Sequence, residues 1–231
     1  MKLKKGFTLS EVLLAICIIA ILAALMGTAF NHAKPDKTKF LYLKAYDALS
    51  EAVVTLINNP ELYKEVYTKS DGKTYNIENY PMLDIGAPND TEYSSFTGNG
   101  KFASLLGEYL RSDSKNWNGS VYNFETMPGN LKWSISPQGE GSLSDENPST
   151  ITYNNKVDLE IGGKSFGFCV QADGHIDILD NEGQTYIDNR KNLRSKNDVQ
   201  LTAVTTTTCK SPVYVVEETE NANVFNVSIQ N

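Results

Sequence analysis

MKLKKGFTLSEVLLAICIIAILAALMGTAF, residues 1–30, sets the architecture of the chain. From Val12 to Phe30 no residue is charged, a run of 19, and the only charge between Phe7 and Phe30 is Glu11. A helix crossing about 30 Å of hydrocarbon needs roughly 17 to 25 residues, whereas the apolar core of a signal peptide has about 7 to 15. The length therefore predicts a spanning helix. Lys2, Lys4 and Lys5 precede it, which keeps the N-terminus in the cytoplasm and sends the remainder outward.

Beyond this run the helical pattern continues but becomes two-faced. Tyr42, Tyr46, Leu49, Val53 and Leu56 recur at spacings of four and three, while Lys39, Lys44, Asp47 and Glu51 fall elsewhere on the wheel. Such a stripe needs a surface to cover it. Pro35 lies between the two halves, where it removes a helical hydrogen bond and bends or briefly breaks the rod. A mostly helical Phe7 to Asn59 reaches about 75 to 80 Å, more than a domain of the remaining size can bury. Asn59 is placed as a cap with Pro60 at the first helical position, predicting a short helix to about Tyr67.

Further along, Phe102, Leu105, Leu106, Tyr109 and Leu110 have helical spacing, with Asn99 as candidate cap. Val157, Leu159 and Ile161 alternate, as do Phe166, Phe168 and Val170, and Ile176 and Ile178 follow. Gly162-Gly163 and Asp173-Gly174 separate these runs, which predicts a three-stranded antiparallel meander. Val213, Val215, Phe225, Val227 and Ile229 predict strands near the C-terminus. Asp71 to Gly100 and Ser134 to Thr150 read as long loops. The fold class expected is α+β: a long N-terminal helix followed by a head built on an antiparallel sheet.

With 231 residues, the chain has room for one ordinary domain plus an appendage, or two small domains. Its net charge of −7 and pI near 4.9 argue against nucleic acid as a partner, because a phosphate-binding surface would need a concentrated basic patch. The 12 Tyr, 9 Phe and 2 Trp are too many aromatics for a disordered tail.

Lys4-Lys5-Gly6-Phe7-Thr8-Leu9-Ser10-Glu11, followed at once by the apolar run, resembles the class III signal of type IV pilins and type II secretion pseudopilins. The resemblance covers about Lys4 to Phe30 and is architectural beyond that. It implies that a prepilin peptidase cuts between Gly6 and Phe7 and that the new N-terminal Phe7 is methylated. It also implies a leader over 1–6, a membrane and assembly helix over 7–30, an amphipathic continuation over 31–59 and an extracytoplasmic head over 60–231. The partners implied are other pilin or pseudopilin subunits and, before assembly, the lipid of a bacterial inner membrane. No cofactor is implied.

Physical chemistry gives these residue types reasons. Gly6 leaves the backbone open to a protease, and the lysines hold the leader on the cytoplasmic face. A carboxylate just inside an apolar run costs on the order of 2.5 to 3.5 kcal/mol at mid-membrane, less near an interface, unless a partner compensates it. The resemblance assigns Glu11 to the N-terminal amine of a neighbouring subunit; the bland alternative is an acid favoured by the helix dipole in a first turn. A competing reading makes the N-terminus an ordinary signal for a secreted or anchored binding or enzymatic domain. Gly27-Thr28-Ala29 offers small residues for cleavage before Phe30, but Glu11 inside the apolar region argues against it.

Cys169 falls in a predicted strand and Cys209 near the C-terminus, both in a compartment where thiols can oxidise. A bridge between them would close a loop of about 40 residues and stabilise the head by roughly 4 kcal/mol; the alternative is two buried free thiols. Cys17 is a small apolar residue of the membrane run. His32 and His175 are the only histidines, without a Ser/His/Asp or metal-ligand spacing, so no enzyme is expected. The acids Asp173, Asp177, Asp180 and Glu182 could be considered for calcium, but they lack the spacing of a calcium loop and read as solvated strand and turn acids. Asn118-Gly119-Ser120 matches a glycosylation triplet, a pattern that chance often produces.

Overall fold

A computed structural model describes residues 36–85, 100–118, 120–127, 130–194, 208–221 and 223–230, with side chains of the last helix described to residue 190. The predicted spanning helix, Pro35 and Asn99 lie outside the described residues. Among the described residues no helix is long and apolar enough to cross a membrane. Residues Leu41–Asn231 form one compact unit.

Helix α1, Lys37–Ile57, opens with Asp36 Oδ1 accepting from the backbone N–H groups of Thr38 and Lys39 at 3.0 and 3.2 Å, a cap that satisfies two otherwise orphaned donors. The stripe read from spacing is the buried one: Tyr42, Leu49, Val53 and Leu56 are buried, with Leu41, Ala45 and Ala52 beside them. Each Leu or Val so buried is worth about 1.5 to 3 kcal/mol. Tyr46 is half-buried, and Lys44, Asp47 and Glu51 face water.

The surface that covers this stripe is a six-stranded antiparallel sheet. Its strands are β3 (Ser114–Trp117), β4 (Tyr122–Thr126), β5 (Leu131–Gln138), β7 (Asn154–Ile161), β8 (Lys164–Gln171) and β9 (Ile176–Ile178), in the spatial order β3-β4-β5-β7-β8-β9. The last three are the expected meander, with Val157 opposite Phe168 and Phe168 opposite Ile178. The Tyr42 ring packs on Phe166 and Phe168 at centroid distances of 4.7 and 5.6 Å, which seats α1 on β8. Gly174, at φ +84°, lets the β8–β9 turn come up under Ile57, where any Cβ would lie 2.6 Å from its Cδ1.

A second, five-stranded sheet has the order β1-β2-β11-β10-β6, from β1 (Val66–Thr68), β2 (Thr74–Asn76), β6 (Thr150–Thr152), β10 (Val213–Glu218) and β11 (Val224–Ile229). Its pairs are antiparallel except β11 with β2. Tyr153, between β6 and β7, carries the chain from one sheet to the other. Helix α2 (Lys101–Tyr109) buries Phe102, Leu105 and Leu106, and α3 (Asn181–Arg194) follows β9. The fold is α+β.

Four expectations are corrected. Asn59 and Pro60 begin a single turn and no helix: Leu62 and Tyr63 both donate to the Asn59 carbonyl, and then the chain enters β1. Tyr63 is pulled into the core at 1% exposure and the Lys64 N–H is taken by Asp84, so the turn cannot propagate. The stretch read as a loop from Ser134 holds the second half of β5 and ends in β6. The Asp71 to Gly100 loop includes β2 and a 3₁₀ turn over Pro81–Leu83. Asp180 and Glu182 open and begin α3 and are not strand acids.

Candidate functional site

Period-two geometry decides what the disulfide does. Phe168 and Val170 point into the core, so Cys169 faces the opposite side of the sheet, where Cys209 meets it with a Cα–Cα distance of 5.2 Å. The bridge therefore lays the segment entering β10 across the outer face of β7 and β8. Asn154 Nδ2 donates to Ser211 Oγ at 2.7 Å two residues further on. Tyr214 then returns to the core at 1% exposure, and its hydroxyl accepts from the Ala172 N–H at 3.4 Å. Burial pushes the Tyr214 phenol well above its ordinary value.

The acidic residues do not converge. Asp173 accepts from the His175 N–H, Asp177 from Gln171 Nε2, and Asp180 from the N–H groups of Gly167 and Gly183, while Glu182 pairs with Lys164. Each carboxylate thus closes a turn, caps a helix, links neighbouring strands or bridges strand to helix. Among the described residues no group of three or more His, Cys, Asp or Glu side chains could hold a metal ion. Asn118 Oδ1 accepts from the Ser120 and Val121 N–H groups, closing a turn of its own.

Two features escaped the reading of the sequence. The first is a buried ion pair: Lys101 Nζ lies 3.4 Å from Asp84 Oδ2, with side chains 2% and 4% exposed. Lys101 also donates to the Asp84 carbonyl at 3.0 Å and sits 4.4 Å over the Tyr63 ring. Burial holds its ammonium below the usual lysine range, and the Asp84 charge works against that shift. The second is an apolar groove of about 320 Å³ between Leu41, Ala45 and Ala48 of α1, the end of α2 and the β4–β5 hairpin. Met127 and Tyr109 on its wall are 69% and 38% exposed. Near the other end of α1 lies a polar concavity of about 410 Å³ lined by Asn58, Pro60, Glu65, Glu78 and Asp173. Nothing in local spacing marks either feature, because each joins residues from three or more segments.

Gly6, Phe7 and Glu11 lie outside the described residues, so their part is read from sequence. Residues 1–27 match the family model of the prokaryotic N-terminal methylation motif, the class III signal of type IV pilins and pseudopilins. The motif implies processing by a prepilin peptidase and a membrane-anchored N-terminus. Comparisons with curated proteins and with solved structures return no match.

Proposed function

We propose that the chain is a structural subunit, a pilin or minor pseudopilin, of a type IV pilus, type II secretion or competence-type filament. The observation that carries this reading is the methylation motif over residues 1–27, with Glu11 as the one charge in its apolar segment. The leader 1–6 is removed between Gly6 and Phe7, and Phe7 is methylated. Subunits wait in the inner membrane and leave it as their apolar helices exchange lipid for neighbouring helices. Glu11 selects register by pairing with the N-terminal amine of a neighbour, and the head, tied by Cys169–Cys209, forms the outer surface. A mature chain of pilin size with two sheets in its head suits a large pilin or minor subunit better than a compact major pseudopilin.

The test is Glu11→Ala. Loss of the charge leaves a helix more comfortable in lipid, so insertion, orientation and cleavage after Gly6 persist. Incorporation into filaments fails, because the neighbour's amine is left unpaired in a low-dielectric bundle. Comparison of sheared-filament and membrane fractions reads the outcome. Wild-type incorporation of the variant would return Glu11 to the helix-dipole role.

A further inference from the structure

The two concavities at the ends of α1 differ in charge as well as polarity. The apolar groove carries the exposed Arg111 on its rim, and its described lining holds no carboxylate. The described lining of the other concavity holds Glu65, Glu78 and Asp173 and no cation. Along α1, Ala45 and the Ile57–Asn58 end are about 15 to 20 Å apart.

Bordering the acidic concavity is the turn over residues 59–62, whose Pro60 contributes to its wall. It is held by the Leu62 and Tyr63 N–H groups on the Asn59 carbonyl and by the Glu61 N–H on Asn59 Oδ1 at 3.0 Å. Pro60 and Glu61 of this turn are exposed, an apolar ring beside a carboxylate. A stiff turn loses little conformational freedom on docking.

We propose that the groove receives this turn from a second copy of the chain, with Pro60 entering the apolar floor and the Glu61 carboxylate meeting Arg111. Glu65 and Glu78 beside the turn face the same cationic rim and steer the approach. The contact is heterologous: groove and turn are different patches of one head, lying toward opposite ends of α1. Repeating it adds copies head to tail and does not close by two-fold symmetry, which is how open helical assemblies grow. The inference rests on the filament reading above and names the contact between heads that such a filament would use.

The test uses the full chain in the cell that makes it, with Arg111→Glu, Glu61→Lys and the double variant. Sheared-filament yield is the readout, and the disulfide-bonded, protease-resistant chain in the membrane fraction reports folding. Each single variant is expected to lower the yield about tenfold, and the double variant to restore it to within about twofold, as reversed charges repel and then re-pair. As a second measurement, Ala48→Cys combined with Pro60→Cys in one chain is expected to link copies within filaments on mild oxidation, while either substitution alone does not. Single variants that assemble at the wild-type level, a double charge variant no better than the singles, or filaments of the doubly cysteine-substituted chain that form no link between copies would each overturn this contact and leave the filament reading standing. A wild-type chain absent from every filament fraction would overturn both.

Discussion

Replacing Asp84 by Ala removes the acceptor on which three segments converge. The carboxylate lies 3.4 Å from the Lys101 ammonium and accepts from the Lys64 N–H at 3.1 Å, with both charged side chains almost wholly out of water. Breaking a buried pair from one side costs about 3 to 5 kcal/mol, because the remaining charge stays desolvated. For a head of this size that lowers the unfolding midpoint by about 10 °C. Lys101 adds a pH signature. Its folded pKa is already held below the unfolded value by burial, and losing Asp84 lowers it further. The penalty is then present in full below the folded pKa and is relieved as pH rises through it towards the unfolded value of about 10.4. As pH rises towards that unfolded value the variant should therefore regain stability relative to wild type. Denaturation of the full chain in mild detergent, followed by circular dichroism, measures both effects. The double variant Asp84→Ala with Lys101→Met should recover most of the loss, since no buried charge is left. An Asp84→Ala chain within about 0.5 kcal/mol of wild type would refute the reasoning.

Two further outcomes follow from the same packing. Cys169→Ser with Cys209→Ser opens a loop with a sequence separation of 40 and should cost about 4 kcal/mol on the chain-entropy model; non-reducing peptide mapping of the wild type should recover the two joined while Cys17 stays free. Tyr153 is pushed up to about 12 by burial, which also raises Tyr42, Tyr63 and Tyr214 well above their ordinary value. Unfolded tyrosines release their protons near about pH 10 while these keep theirs, so this stabilisation is complete below that pH. Above it, stability falls by about 1.4 kcal/mol per pH unit for each such group, and alkaline titration monitored by tyrosine absorbance should give one cooperative step well above the ordinary tyrosine range.

Elements whose buried side chains carry their own period could be read from the chain. The α1 stripe of Tyr42, Leu49, Val53 and Leu56 and the alternation in β7 and β8 both state which face is inward. Helix α3 could not be read this way, because among its described side chains only Tyr186 and Ile187 are buried hydrophobics, too few to mark a period. Pro60 looked like a helix start because Asn-Pro-Glu satisfies the first turn, yet the core claims Tyr63 and the sheet claims Val66–Thr68. Tertiary competition of that sort is invisible in a local window. The same holds for Asp84 and Lys101, which in isolation are ordinary surface residue types. The disulfide was legible as one of two alternatives, and only the fold adds that it crosses the outer face of the sheet.

The filament reading stands or falls on where the mature chain begins. Intact-mass and N-terminal peptide analysis of the protein recovered from membranes should find a chain starting at Phe7 with a methylated amine. Loss of Lys2, Lys4 and Lys5 with the leader then takes the formal charge from −7 to −10. A mature chain starting at Phe30 would contradict it, making the N-terminus an ordinary signal and the head a secreted domain.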